Sequence, residues 1–407
     1  MRISSHQAQQ TAINAMLEQQ EKLSKVQEQV ATGQRIAKPS DDPIAAAKIV
    51  NLRDVLDTVQ QYQDNINAGR ARLELEEGVL QNVTDILQRV RELAVMSNND
   101  TQTNESREFI AQEVSQLQEA LLGLANSTDI NGEYMFAGNK SKFTPFTRNE
   151  TNGFDYSGDD GQRQIMIGPN RVIPTGDPGS RVFRNIKDGN GVFVALDDPG
   201  NRGSGVIDPG STSGEYKGGT YAIIFETRKL PDNEEEITYK VIDGEGNELV
   251  PGGTPYQEGT AIRFAGVQTK VEGEPADGDF FVIRPSMNQD VFTTIQRFID
   301  ALRNENDSQA QANTALHNEV NRTLIGMDNA MGRILDVRAD VGARLNAMDG
   351  QQEINESQQL QIRETLSEVE DLDYAKAVSD LNLRLTGLEA SQKAYTRVQG
   401  ISLFNHI

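Results

Sequence analysis

One run of residues constrains this chain more than any other. Counting by sevens from Leu52 gives Leu52, Val59, Ile66, Leu73, Leu80, Leu87 and Ala94, apolar at every step. The alternate members of the same 3-4 repeat start apolar at Ile49 and Leu56 and then turn polar at Gln63, Arg70, Glu77, Thr84 and Arg91. That pattern belongs to a helix lying along a partner helix, and it predicts one helix of roughly 50 residues. From Val79 a second stripe joins (Val79, Val83, Ile86, Val90, Leu93), so the helix begins with one partner face and ends with two. Its start is marked by Asp42, a side chain suited to capping, and Pro43, suited to the first helical position.

The same spacing predicts a second helix from about Glu105, through Phe109, Ile110, Val114, Leu117, Leu121 and Leu124. Val320, Leu324, Met327, Met331, Ile334, Val341, Leu345 and Met348 form another seam, interrupted by Arg338. It turns polar at Gln352, Asn355 and Gln359 and recovers at Ile362, Leu366 and Val369. A new register begins with Val378, Leu381, Leu385, Leu388 and Tyr395. Its offset from Val369 is not a whole heptad, so the partner surface changes, and a domain junction is expected near Leu372.

Six buried aliphatics on the first seam contribute roughly 9–18 kcal/mol. Ordering about 50 residues costs on the order of 50–100 kcal/mol of backbone entropy. One seam does not hold a helix alone, so the helical arms must bundle. The N-terminal repeat Ile13, Met16, Gln20, Leu23, Gln27, Val30 is half glutamine. That segment is expected to be partly unfolded in a monomer and to order against neighbours.

Glycine and proline show where helices stop. Of 35 Gly, 4 lie in residues 1–130, 25 in 131–290 and 6 in 291–407; the 13 Pro divide as 2, 11 and 0. The chain therefore reads as a helical arm, a turn-rich middle and a second helical arm. Short β-type runs are predicted at Tyr134–Ala137, Gln164–Ile167, Arg171–Ile173, Gly191–Leu196, Thr220–Thr227, Ile237–Ile242, Ala261–Ala265 and Asp279–Ile283. The last five predict a small antiparallel β domain over roughly 180–285. The fold class is mainly α with an inserted β domain, the N- and C-terminal helices pairing into a coiled coil or helical bundle.

The net charge of −22 argues against a nucleic-acid binder, because no positive field recruits phosphates. The charge is uneven. Residues 1–40 hold five basic and three acidic side chains, and residues 374–407 hold four and two, so each tip is +2 within an acidic chain. Zero Cys excludes disulfide frameworks, zinc ribbons and thiol nucleophiles. His6, His317 and His406 are too scattered to suggest a metal cluster. No run of 18 apolar residues predicts a membrane span, and the opening residues lack the apolar core of a secretory signal.

Candidate chemistry is sparse. Asp41-Asp42 are expected to cap a helix, and Asp159-Asp160 to sit solvated in a Gly-flanked turn. Asp243-Gly-Glu245-Gly-Asn247 has the outline of a calcium loop, but Glu248 stands where the sharp-turn glycine belongs, and a hairpin turn is expected. Asn126-Ser-Thr128 fits a glycosylation sequon, a short and weakly specific pattern. Tyr134, Phe136, Phe143 and Phe146 are expected to pack β segments onto helices. Phosphate-binding, nucleophile-elbow and zinc-protease motifs are missing from the sequence, so no catalytic, cofactor or metal residue is assigned. The apolar side chains Tyr395, Leu403 and Phe404, at an end where chains usually fray, point to a partner.

Several segments together carry a resemblance. They are Met1-Arg-Ile-Ser4, Ala31-Thr-Gly33-Gln-Arg35 running into Pro39-Ser-Asp41-Asp42-Pro43, Gly132-Glu-Tyr134-Met-Phe136-Ala-Gly138 with Pro145-Phe146, and Leu388-Glu-Ala390-Ser-Gln-Lys-Ala-Tyr395 with Ile401-Ser-Leu403-Phe404. The chain resembles the flagellin-type proteins, and within them the hook-associated protein 3 branch of bacterial flagella. The resemblance implies a flagellin-like fold in three parts. Residues 1–42 and 372–407 would be a terminal coiled-coil assembly domain, 43–178 and 286–371 a helical bundle with a β-hairpin, and 179–285 a small outer β domain. It implies a non-enzymatic structural subunit with no cofactor, placed as a ring at the hook–filament junction. Its partners would be further copies, the first hook-associated protein, flagellin, and a flagellar export chaperone and apparatus, with neither nucleic acid nor membrane span. The location would be extracellular, reached unfolded through the export channel without a cleaved signal. The expected assembly interface is Ile13, Met16, Leu23, Val30, Val378, Leu381, Leu385, Leu388, Tyr395, Leu403 and Phe404. Two alternatives stay open: a filament-forming flagellin, and a surface adhesin or glycan-binding module carried in the β insert.

Overall fold

The computed structural model describes residues 5–99, 101–150, 152–214, 216–230, 234–304 and 309–400. The chain forms two compact units, one of Met1–Ile66, Ile167–Asn170 and Asp349–Ile407, the other of Asn67–Met166 and Arg171–Met348. Six α-helices are described: α1 (Ser5–Thr32), α2 (Pro43–Ser97), α3 (Asn104–Ala125), α4 (Val291–Leu302), α5 (Gln309–Glu370) and α6 (Tyr374–Gly400). Helices α2 and α5 contribute to both units.

The sevenfold seam is the spine of α2. Val59, Ile66, Leu73, Leu80, Leu87 and Ala94 are at most 2% exposed. The Asp42 carboxylate caps the helix by accepting from the Ala45 N–H at 3.0 Å. On α5 the sevenfold series Val320, Met327, Ile334, Val341 and Met348 is buried in the same way. In the second unit the two helices run antiparallel, with Arg91 on Asp328 at 2.8 Å and Arg338 on Glu77 at 2.6 Å. The Arg338 that interrupts one seam thus meets the Glu77 that is a polar member of the other.

In the first unit the pairing of α2 and α5 changes chemistry. Gln351, Asn355 and Gln359 are buried. Gln351 Nε2 donates to Asn355 Oδ1 at 2.9 Å, Asn355 Nδ2 to the Ile167 carbonyl at 3.0 Å, and Gln359 Nε2 to Gln60 Oε1 at 3.3 Å. The polar stretch of the seam is a ladder of amides bonded to one another and to the Ile167 carbonyl.

The second unit adds α3, capped by Thr103, whose Oγ1 accepts from the Ser106 N–H at 3.2 Å, and α4, capped by Asp290, which accepts from the Thr293 N–H at 2.7 Å. Helix α4 packs on α3 and buries Val291, Phe292, Ile295, Phe298, Ile299 and Leu302. Phe292 joins an aromatic cluster, stacking on Phe154 at 5.0 Å between centroids and on Phe183 at 5.8 Å. Phe136 and Phe146 meet Phe183 edge-on. The Asn126 amide exchanges two hydrogen bonds with the backbone of Phe146, at 2.8 and 2.9 Å.

Two expectations for this region are corrected. Phe143 is outside the cluster, 66% exposed. Tyr134–Ala137 is not a strand: its amides turn to loops, Tyr134 N–H donating to the Ser141 carbonyl and Met135 N–H to that of Ser127. The flanking Gly132 and Gly138, at φ +76° and +67°, curl the segment out of extended geometry.

The β insert is built on a five-stranded antiparallel sheet, in spatial order Glu248–Pro255, Glu235–Asp243, Tyr221–Lys229, Phe280–Pro285 and Phe193–Asp197. Its buried face (Phe193, Ile223, Phe225, Val241, Phe281, Ile283) shares one core with Ile262, Phe264 and Val267 of a second, three-stranded sheet. The Asp243 carboxylate accepts from the Glu245 and Asn247 amides at 3.0 and 2.8 Å, a hairpin turn with its oxygens already engaged. Asp159 behaves alike, accepting from the Asn139 and Gly161 amides. Among the described residues no group of three or more His, Cys, Asp or Glu is placed to hold a metal.

Phe292 stands where α4 meets the aromatic cluster. Phe292→Ala should cost about 3–5 kcal/mol, measured as a lower midpoint of denaturant unfolding, while the exposed Phe143→Ala should shift it by less than about 0.5 kcal/mol.

Candidate assembly face

In the first unit the helices nearest the two termini, α1 and α6, meet. Helix α1 ends at Thr32 because Gly33 takes φ +72° and turns the backbone back, its N–H still bonded to the Gln29 carbonyl at 2.8 Å. The next residues are stitched to the far end of α5. Arg35 N–H donates to the Glu370 carbonyl at 2.7 Å, and Leu372 N–H to the Gly33 carbonyl at 2.9 Å. The Arg35 guanidinium adds two bonds to the Val369 carbonyl, at 2.6 and 3.1 Å. Glu370, which is buried, accepts from Gln34 Nε2 at 2.7 Å and pairs with Arg53 of α2 at 2.5 Å. One two-sided joint therefore connects α1, α2, α5 and α6. It sits at the register break near Leu372, between the end of α5 at Glu370 and the start of α6 at Tyr374.

Asp41-Asp42 complete the joint in a structural role. Lys25 Nζ lies 2.8 Å from Asp41, and this hydrogen bond holds the Asp41 carboxyl below the usual range, while Asp42 caps α2.

Beyond the joint, α1 packs along α6. Leu23 is buried between them; Met16, Val30, Leu381, Leu388 and Tyr395 are half-buried. Ile13, Val378 and Leu385 stay largely exposed, although they belong to the same two seams. Leu403 and Phe404 lie outside the described residues. The hairpin carries further exposed side chains that the seams do not include, Leu17 at 59% and Leu383 at 66%. Leu383, two residues from Leu381, points away from that seam and marks a second apolar face. Large apolar groups are thus exposed on both sides of a two-helix hairpin.

Comparison with known proteins agrees with this layout. The family model for the bacterial flagellin N-terminal helical region matches residues 3–141, and that for the C-terminal helical region matches 324–407. The flagellar hook-associated protein 3 of Escherichia coli (strain K12) is 26% identical over 405 residues, 99% of each chain. Among solved structures, the flagellar hook-associated protein 3 of Legionella pneumophila has a TM-score of 0.74 at 31% identity, covering 79% of this chain and 98% of that one. FlgL of Xanthomonas campestris has a TM-score of 0.71 at 32% identity, covering 78% and 99%.

Gly33 is the most exacting position of the joint, because a Cβ there would stand 2.9 Å from the Tyr374 hydroxyl. Gly33→Ala should cost about 1–2 kcal/mol from the left-handed backbone alone. It should speed hydrogen exchange at the Arg35 and Leu372 amides and leave the melting of the β insert unchanged. From its fold, its full-length relatives and its paired terminal helices, the chain belongs to the bacterial flagellin family, in the hook-associated protein 3 branch.

Proposed function

We propose that this chain is a structural, non-catalytic subunit that assembles as a ring at the junction between hook and filament of the bacterial flagellum. The observation that carries this reading is the α1–α6 hairpin, which leaves Ile13, Leu17, Val378, Leu383 and Leu385 exposed even when the two helices are paired. A hairpin so incompletely buried gains most of its order from neighbouring copies. Residues 1–42 and 372–407 then act as the assembly domain, 43–178 and 286–371 as a helical bundle with a β-hairpin, and 179–285 as the outer β domain. The partners on this reading are the first hook-associated protein on one side and flagellin on the other, met after export as an unfolded chain with its chaperone and without a cleaved signal.

A filament-forming flagellin would use similar helical arms. The junction role is favoured because the likeness to hook-associated protein 3 runs through the β insert and spans 99% of both chains. Quantitative mass spectrometry of purified flagella separates the two: a junction subunit is present in a fixed small number per flagellum, whereas a filament subunit grows in proportion to filament length.

Two measurements test the assembly role. Residues 5–30 should exchange amide hydrogens rapidly in the free monomer, and strong protection before assembly would contradict the reading. Replacing Leu381, Leu385 and Leu388 with Ser, or deleting residues 401–407, should abolish incorporation and leave the β insert folded. Normal junctions from either variant would refute a role for the hairpin and tail.

A further inference from the structure

The second unit encloses an ionic cluster that the assembly role leaves unused. Glu76 of α2 is 1% exposed. Its Oε1 accepts from the Asp177 N–H at 3.0 Å, and its Oε2, also buried, has no hydrogen-bond partner. Asp177, just before the Ser180–Arg184 turn of π-helix, is equally enclosed, and the guanidinium groups of the cluster converge on it instead. Arg344 of α5 reaches it at 2.8 Å and Arg181 at 2.6 Å, with Gln162 Nε2 donating at 2.9 Å. Arg181 also pairs with Asp340 of α5. On the α2 side, Arg72 is engaged by Asp129 at 2.5 Å, with Glu133 at 3.9 Å, and Arg163 takes Glu133 at 2.6 Å. The charged groups acting on Glu76 are Asp177, Arg344 and Arg72. Both cations have other carboxylates in direct contact, so Glu76 faces a second buried carboxylate without a cation of its own.

We propose that Glu76 takes up a proton when the second unit folds, so that folding of this unit is linked to pH through a single buried carboxyl. A neutral Glu76 removes the repulsion with Asp177, keeps Oε1 as the acceptor for the Asp177 amide, and leaves no buried negative charge without a partner. Burial first, and the Asp177 charge second, push the Glu76 carboxyl up to about 8. An unfolded chain holds the same group near 4.5. Because the folded value is the higher, the stability linked to Glu76 is fully present below pH 4.5 and is lost progressively as pH rises through about 8.

Thermal unfolding of the full chain and of Glu76→Gln, from pH 5 to pH 9, tests this. The variant mimics the neutral acid, so its unfolding temperature should exceed that of the natural chain by a margin that widens with pH and levels off above about pH 8. A constant offset across the range would overturn the proposal. If Glu76→Gln fails to fold, the natural chain still decides the matter. Refolding in weakly buffered solution at pH 7.5 should take up most of one proton per chain. Release of protons, or no uptake, would overturn it.

Discussion

The structure depends on one seam, the antiparallel pairing of α2 with α5. Helix α2 places a buried aliphatic at every seventh residue from Val59 to Leu87, and α5 does so from Val320 to Met348. Each helix is too thinly apolar to persist alone. Paired, they support α3 and α4 in the second unit and the joint of the terminal helices in the first. The ion pair of Arg338 with Glu77 lies inside this seam, where each would otherwise interrupt an apolar row. A partly exposed pair of this kind contributes little net stability.

Where the same two helices continue through the first unit, the row becomes Gln60, Gln351, Asn355 and Gln359. Amides are bidirectional, each both donor and acceptor, so this stretch is held by matched polar groups rather than by exclusion of water. The charge does not follow that division: only the extreme ends, residues 1–40 and 374–407, depart from the acidity of the rest, at +2 each.

Much of this was legible in the residues because the governing signals were periodic and uninterrupted. The α2 seam, the Asp42 cap and the register break near Leu372 each rest on a local rule that tertiary contacts reinforce. Helix α4 was not anticipated from the sequence. Its twelve residues, Val291–Leu302, follow directly on the β insert, although Asp290 as a cap and the spacing of Val291, Ile295, Phe298 and Leu302 were there to be read. The edge strand Glu248–Pro255 was hidden by Pro251, Gly252 and Gly253, residues that read as a turn and are tolerated only at a sheet margin. For Tyr134–Ala137, β-type composition was overridden by glycines at positive φ on both sides. On the candidate face, periodicity located the seams but could not tell which members stay uncovered, because exposure depends on how far α1 and α6 interdigitate. Leu17 and Leu383 lay off the seams and carried no periodic signal.

The joint between Gly33–Arg35 and Val369–Leu372 has a consequence for the order in which the molecule can form. Its side-chain bonds link residues 334 and 336 positions apart. Closing so long a loop is entropically costly and slow unless the intervening chain has already compacted. The body must therefore form first, and the N-terminal helix, although earliest in the sequence, has to wait for the C-terminal one. A chain emerging end-first from any conduit would carry α1 unpaired until nearly its last residue was free.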